Sequence, residues 1–344
     1  MSRKDPLKPL VAIDADVLGR QRTGDETYVE NLLRVLPALG GGDFRFAAVT
    51  RHPELVPEGV EPVALTAGRQ ELRMAWTLPR LLRRLRPALA HFQHALPLRC
   101  PCPAVVTIHD LSFERDPSAM GALDRLVFKR VVPRAARGAT RVIAVSERTK
   151  RDLVELYGLP PGRIAVTPHG VDPAFGPAAD GAAAGGYLLY VGAVQARKDP
   201  LAAARAAAEV GLPLVVVGPE REPALARELR RLGADLRGYV GKVELAGLYR
   251  GAAALVLPSR YEGFGLPVLE ALACGTPVVV SDDPALHEVA GDAAVYAGAD
   301  LAAAVRTALA DRERLAAAGL ERAKAFSWED TARRTLAVYR EALA

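Results

Sequence analysis

Two glutamates eight positions apart, Glu262 and Glu270, bracket a glycine-rich turn, Gly263-Phe264-Gly265, and the Leu266-Pro267 start of a helix. From Leu255 to Val280 the chain reads as a buried strand, this turn, a helix stopped by Gly275 and a second buried strand after Pro277. Backbone N–H groups freed at a helix start, with the helix dipole behind them, suit a phosphate or a partly negative sugar oxygen. Glu262 falls at the carboxyl end of the strand and Glu270 inside the helix. Their separate settings suit two tasks, one carboxylate on sugar hydroxyls and the other on a ribose diol.

Three further segments carry chemistry. In Tyr187-Leu-Leu-Tyr-Val-Gly-Ala-Val-Gln-Ala-Arg-Lys-Asp199 a hydrophobic strand ends at Gly192, and Arg197-Lys198 follow just before a helix. An Arg fork and a Lys point charge at a sheet's carboxyl edge neutralise a diphosphate. In Val105-Val-Thr-Ile-His-Asp-Leu111, His109 and Asp110 close a strand; a histidine there is commonly a hydrogen-bonded structural residue. Arg20-Gln-Arg-Thr-Gly-Asp-Glu-Thr-Tyr28 joins the first strand to the first helix, a loop expected to present Gly24 and backbone N–H groups.

The elements that must hold these residues alternate along the chain. Strands are expected at Leu10–Ala15, Phe44–Thr50, Ala104–Ile108, Arg141–Val145, Ile164–Thr167, Tyr187–Val191, Leu214–Val217, Ala253–Leu257 and Pro277–Ser281. Helical patterns at Glu26–Leu36, Ala122–Val132, Ser146–Tyr157 and Leu201–Val210 lie between them. Near-continuous Val, Ile, Leu and Ala in short strands marks parallel sheets covered on both faces, hence an α/β protein. A chain of 344 residues exceeds what one core serves. The Gly-, Pro- and Ala-rich run Pro173–Gly186 is the expected boundary, with 1–172 before it and 187–325 after it.

Composition narrows the function classes. Half the residues are apolar and a quarter charged, the mix of a globular protein. No apolar run reaches the roughly 18 residues of a membrane span, and the charged start, Met1-Ser2-Arg3-Lys4-Asp5, lacks the apolar stretch of a secretory signal. The expected location is the cytoplasm. Three cysteines, Cys100, Cys102 and Cys274, make neither a disulfide framework nor a zinc module. Residues 1–172 hold 26 Lys and Arg against 19 Asp and Glu, so the net +5 is concentrated in the first half. Within it Arg69, Arg73, Arg80, Arg83, Arg84 and Arg86 are mixed with Leu, Met and Trp76 and interrupted by Pro79. Such a stretch suits an anionic lipid surface or an exposed face with snorkelling arginines. No nucleic-acid-binding module is recognisable.

Taken together, the E-x7-E from Glu262 to Glu270, the V-G-x-x-x-x-R-K segment and the H-D-L of His109 resemble the family 4 glycosyltransferases. The resemblance implies GT-B architecture, two Rossmann-like domains with parallel sheets facing a central cleft. It places the acceptor in 1–172, the nucleotide sugar in 187–325, and the helix at about 327–344 back on the first domain. The implied activity is retaining transfer of a hexose, mannose or glucose, from a GDP- or UDP-linked donor to a sugar, lipid-linked or small-molecule acceptor. No metal or other cofactor is expected. By the same resemblance His109 faces the transferring sugar beside Glu262 and the Gly263–Leu266 backbone, so that His109 and Glu262 serve the reacting centre. Arg197 and Lys198 hold the diphosphate, Glu270 the ribose, and the backbone near Val240 the base.

The family often shows Gly-x-Gly where this chain has Gly24 alone. Asp14-Ala-Asp16 spells the metal signature of the other major glycosyltransferase fold, but closes the first strand and reads as loop chemistry. His91-x-x-His94 lacks a third ligand in sequence, His169-Gly-Val-Asp172 turns the chain, and Asp282-Asp283 reads as a helix start. A dinucleotide-dependent dehydrogenase would need G-x-G-x-x-G after a strand, and the chain has none. A nucleotide-sugar epimerase and a non-catalytic binding or scaffold protein are the other readings, the latter opposed by intact Glu262, Glu270, Arg197 and Lys198.

Overall fold

The computed structural model describes residues 8–20, 23–66, 72–116, 120–178 and 185–344. It divides into two compact units. One comprises residues 1–111, 123–170 and 328–344; the other comprises 112–122 and 171–327.

The first unit is built on seven strands: β1 (Leu10–Asp14), β2 (Arg45–Thr50), β3 (Glu61–Ala64), β4 (Leu89–Gln93), β5 (Ala104–Ile108), β6 (Arg141–Ala144) and β7 (Ile164–Val166). They lie side by side in the order 3-2-1-4-5-6-7, all parallel. Val11, Ile13, Val105, Val106, Val142 and Ile143 are fully buried, as strands covered on both faces require. The order reverses between β1 and β4, and at such a switch point the loops leaving the strands' carboxyl ends part and leave a crevice.

The second unit repeats the plan with six strands: β8 (Leu188–Val191), β9 (Leu214–Val217), β10 (Asp235–Gly238), β11 (Ala254–Leu257), β12 (Val278–Ser281) and β13 (Val295–Ala297). Their order is 10-9-8-11-12-13, again all parallel, with the switch between β8 and β11. The backbones of β8 and β9 come so close beyond their ends that a Cβ on Gly218 would lie 2.2 Å from the Gly192 carbonyl oxygen. Gly218 also has φ +140°, so no other residue fits.

The Trp328–Leu343 helix belongs to the first unit, where it packs on the Thr23–Gly40 helix. Gly40 permits the approach, since a Cβ there would meet Leu336 Cδ2 at 2.5 Å. Tyr339 is fully buried and bonded through its hydroxyl to His91 Nδ1 (2.7 Å). The Thr331 hydroxyl donates to the Pro168 carbonyl (2.6 Å).

The structure departs from the sequence reading in three places. The first helix begins at Thr23, so Gly24 lies in its first turn rather than in a loop; Asp25 and Glu26 suit that turn, and Glu26 Oε1 accepts from the Gly19 N–H (2.7 Å). In the arginine-rich stretch, Arg73 is buried and pairs with Asp14 Oδ1 (2.7 Å), so it is a core cation and not a surface one. Arg73–Thr77 form a π-turn that hands over to the Leu78–Leu85 helix, where Pro79, lacking an N–H, sits in the first turn. Arg69 lies outside the described residues. Finally β3, β4 and β13 had no counterpart among the expected strands, and β10 had none beyond a strand end expected at Arg237-Gly-Tyr-Val240. Among the described residues, no helix is long and apolar enough to cross a membrane.

Candidate functional site

In the second unit the predicted residues gather at the carboxyl ends of β8 and β11, on either side of the switch point. The turn after β8 places Arg197 and Lys198, and Asp199 caps the following Pro200–Val210 helix by accepting from the Ala202 N–H. Three bonds to backbone carbonyls tie this turn to the loop after β11: Arg197 Nη1 donates to the Tyr261 carbonyl (2.6 Å), the Arg260 N–H to the Arg197 carbonyl (2.9 Å), and Arg260 Nη2 to the Ala196 carbonyl (2.7 Å). Lys198 Nζ lies 2.7 Å from Glu262 Oε1. Burial alone would favour a neutral Glu262, but the charges of Lys198 and Arg197 outweigh it and hold the carboxyl below its ordinary value. The site therefore presents two cations and one carboxylate, all largely screened from water. Among the described residues the buried Arg197 Nε has no partner, unused donor capacity of the kind an anion satisfies.

Gly263, Phe264 and Gly265 lead from Glu262 into the Leu266–Ala273 helix. Gly265 has φ +105°, and this left-handed step turns the chain sharply into the helix; Pro267 has no N–H and the Val268 N–H donates to the Gly265 carbonyl (3.0 Å), which leaves the Leu266 N–H as the first-turn donor without an intrahelical acceptor. Phe264 is buried against Phe326, their ring centroids 6.0 Å apart. One turn further, Glu270 accepts a hydrogen bond from the Tyr249 hydroxyl (2.8 Å). Burial pushes its carboxyl up to about 7; Tyr249 opposes the rise, the charge of Asp172 adds to it, and Lys242 opposes it. Asp172 in turn pairs with Lys242 (2.9 Å). Val240 lies in the loop after β10, half-buried, directly before the Lys242–Gly251 helix.

In the first unit His109 follows β5, and Gln93 and His94 end and follow β4. His109 is buried; its Nε2 donates to Gln93 Oε1 (2.9 Å), and its ring stacks on His169 at 5.6 Å with Tyr28 edge-on at 5.0 Å. Burial pushes the imidazole down to about 4 against the pull of Asp25, so it is neutral at pH 7. With Nε2 donating, Nδ1 is an acceptor, 3.9 Å from Asp25 Oδ1, while Asp25 Oδ2 lies 3.8 Å from His94 Nε2. These gaps suit one intervening hydroxyl. They are wide for zinc, whose ligands at about 2.0–2.1 Å stand roughly 3.4 Å apart. Among the described residues Asp25, His94 and His109 are the one grouping of metal-ligand types, with ligand atoms within 4.8 Å. Gly24 immediately precedes Asp25 on the same helical turn.

The secondary features resolve as structure. Asp14 and Asp16 bind arginines: Asp14 accepts from Arg73, and Asp16 from Arg51 (2.7 and 3.1 Å) and from Arg20. Burial of Asp16 is outweighed by these cations and its carboxyl is held low. His91 is locked between Tyr339 and Thr107 (2.7 Å each). Asp283 caps the Pro284–Ala290 helix by accepting from the Ala285 N–H (2.8 Å). Cys100 and Cys102 stand 3.9 Å apart as free thiols, like Cys274. Asp25, Gln93, Tyr249 and Lys242 were not foreseen as site residues, and His94 only as the second histidine of His91-x-x-His94. They come to the cluster of their own unit from other strands and helices, and only a strand assignment for Leu89–Gln93 would have placed Gln93 and His94 beside His109.

Two Rossmann-like units, each with its polar side chains collected beyond the switch point of an all-parallel sheet, define the GT-B class of glycosyltransferase folds. Residues 22–175 match the model described as Glycosyltransferase Family 4, and residues 183–324 match Glycosyl transferases group 1. The chain belongs to the family 4 glycosyltransferases. It is 31% identical over 267 residues to O-antigen chain mannosyltransferase B of Escherichia coli, covering 69% of this chain and 70% of that one. It is 35% identical over 251 residues to the D-inositol 3-phosphate glycosyltransferase of Kineococcus radiotolerans, covering 60% of this chain and 58% of the relative, so it spans less than two thirds of that relative's length. Among solved structures, sucrose-phosphate synthase from Thermosynechococcus elongatus superposes with a TM-score of 0.78 at 23% identity, covering 97% of this chain and 98% of that one. Anabaena HepE in complex with UDP and glucose gives 0.73 at 15% identity, covering 97% and 99%.

Proposed function

We propose that this chain transfers a hexose from a nucleoside-diphosphate sugar to a sugar, lipid-linked or small-molecule acceptor, with retention of anomeric configuration and without a metal. The observation that carries the reading is the buried set formed by Arg197, Lys198 and Glu262 at the β8–β11 switch point, beside the start of the Leu266–Ala273 helix. A departing nucleoside diphosphate gains charge as the glycosidic bond breaks. Arg197, Lys198 and the Leu266 N–H at the helix start after Gly265 are fixed donors for that charge, and supply what a metal ion otherwise would. Glu262 and the Gly263–Leu266 backbone orient the sugar, Glu270 holds the ribose diol, and the backbone at Val240 meets the base. From the first unit His109, neutral and held by Gln93, accepts a sugar hydroxyl at Nδ1, with Gly24 on the adjoining helical turn. Attack from the face that the leaving group vacates, with the diphosphate taking the acceptor's proton, retains configuration without a covalent intermediate. Residues 187–325 are read as the donor domain and 1–172 as the acceptor domain. The mannosyltransferase and inositol 3-phosphate glycosyltransferase relatives support hexosyl transfer, mannose or glucose, and GDP and UDP are the donors to test.

The test is thermal stability with GDP, UDP, ADP or NAD, each with EDTA. A ligand at about 100 times its dissociation constant stabilises by roughly 2.7 kcal/mol. One nucleoside diphosphate should shift the melting point in EDTA, and Glu270→Ala should abolish the shift while Glu262→Ala mainly impairs transfer. No shift with any diphosphate, or a shift with NAD alone, would overturn the proposal.

A further inference from the structure

The Ala122–Gly138 helix is buried over its second half, through Val132, Pro133, Ala135 and Ala136, but residues 122–130 are exposed apart from a half-buried Arg125. This protruding half is apolar where a surface helix should be polar. Leu123 is 76% exposed, and Leu126 and Val127 follow it at i+3 and i+4, half exposed, with Phe128 beside them. Near it are two more large apolar groups in the open, Trp76 (60%) and Leu98 (59%), together with Leu72. Hydrogen bonds join these three places. The Leu98 N–H donates to the Met74 carbonyl in the π-turn, and Arg134 of the helix donates to the Leu98 carbonyl, at 3.1 and 3.0 Å. Three segments of the first unit that carry exposed apolar side chains are thereby held together.

Their surroundings are cationic. Arg80, Arg83 and Arg84 are exposed on the Leu78–Leu85 helix, and Arg80 lies over the Trp76 ring, 4.1 Å from its centroid. Lys129 and Arg130 are exposed on the other helix, where Asp124 is the one acid among residues 122–130. We infer that this face docks the protein on a bilayer surface carrying anionic headgroups. Exposed leucines and a tryptophan enter the boundary between headgroups and acyl chains, and long basic side chains, Arg80 over the Trp76 ring among them, reach out to phosphates around them. A second copy of the same face would bring the same cations and repel it, whereas anionic lipid complements it.

The docked edge lies beside the candidate site. The Phe128 ring is 6.5 Å from that of His94, and His94 is 5.2 Å from His109. A sugar acceptor carried at the bilayer surface is thereby delivered next to His109. This last step rests on the transferase reading; the docking itself does not.

Flotation with vesicles of phosphatidylcholine alone, or of phosphatidylcholine mixed with phosphatidylglycerol, tests the inference on the whole chain without any nucleotide sugar. Binding is expected on the anionic vesicles and weakened by salt. The Leu123→Ser/Leu126→Ser/Val127→Ser variant, altered only at exposed positions, should melt like the wild type yet bind at least about tenfold more weakly. Arg80→Ser/Arg83→Ser/Arg84→Ser should lose at least about tenfold at low salt and show a flatter salt dependence. Wild-type chain that stays off anionic vesicles at low salt would overturn the inference. So would a serine variant that floats undiminished, or a dimer that dissociates on the same serine changes. If docking fails while a nucleoside diphosphate still stabilises the protein, the transferase reading stands and the docking alone is refuted.

Discussion

The Lys198–Glu262 pair has two separable roles, and a cycle of substitutions divides them. Both side chains are largely buried, with 14% and 9% exposure, and the neighbouring Arg197 has Nη1 committed to the Tyr261 carbonyl. Replacing Lys198 by Met strands a buried carboxylate. Breaking such a pair costs about 3–5 kcal/mol, and the nearby Arg197 places this case at the lower end, about 3 kcal/mol. Glu262→Gln keeps the shape and removes the charge; Lys198 can then turn to water, at a cost of about 1–2 kcal/mol. Were the effects independent, the double variant would lose about 4–5 kcal/mol. With neither charge of the pair left, it should lose only about 1 kcal/mol, a coupling of about 3–4 kcal/mol. In thermal unfolding followed by circular dichroism, 1 kcal/mol in a unit of this size corresponds to about 2–4 °C, so Lys198→Met alone should melt about 6–12 °C low. Turnover should not follow stability. All three variants should remain at least about a hundredfold slow, the usual loss on removing one preorganised charge-stabilising group. Additive melting shifts would refute the coupling, and a double variant that recovered turnover would refute the placement of these groups at the reacting centre.

Three further outcomes follow from the geometry. The Glu270 carboxyl is raised from 4.5 to about 7, so its protonation favours the folded state below pH 4.5, and that contribution is lost as pH rises through 7. Relative to Glu270→Gln the wild type should therefore lose about 3 kcal/mol between pH 4.5 and pH 8 in urea titrations; an equal gap at both ends would sink this account. His91 and His109 are lowered by burial to about 3 and about 4, so their contribution is full above 6.5 and drains away as pH falls towards those values. By pH 5 each imidazole should cost the first unit about 2 kcal/mol, which Trp328 fluorescence in a Trp76→Phe background would report as earlier unfolding in urea; an unmoved midpoint between pH 7.5 and 5 would contradict their neutral burial. Gly218→Ala, with its Cβ driven into the Gly192 carbonyl, should destabilise by at least about 3 kcal/mol, and a melting point within 2 °C of wild type would show that the loop relaxes freely.

Strand runs such as Ala104–Ile108 and Leu214–Val217 coincide with the structure because unbroken apolar β-formers leave little else for a short segment to be. Glu61–Ala64 escaped because an edge strand with alternating exposure and a proline carries almost no apolar signal. Leu89–Gln93 escaped because it buries a histidine, made tolerable only by Tyr339 and Thr107, partners that sequence distance hides. The candidate site divides along the same line. Arg197, Lys198, Glu262 and Glu270 sit in contiguous motifs and could be read directly. The Lys198–Glu262 contact, the Tyr249 bond to Glu270 and the Asp25–His94–His109 grouping depend on how distant strands are ordered, and no local pattern encodes that.

The excursion of the chain through the second unit has a consequence for biosynthesis. Residues 328–343 complete the first unit's core, with Tyr339 bound to His91, yet they are translated only after all of 171–327. At the usual elongation rates of about 5–20 residues per second, the first sheet waits roughly 8–30 s for its last helix while the second unit emerges whole. The segment made second is thus free to fold first, and the part made first stays open to chaperones and proteases for the length of that delay.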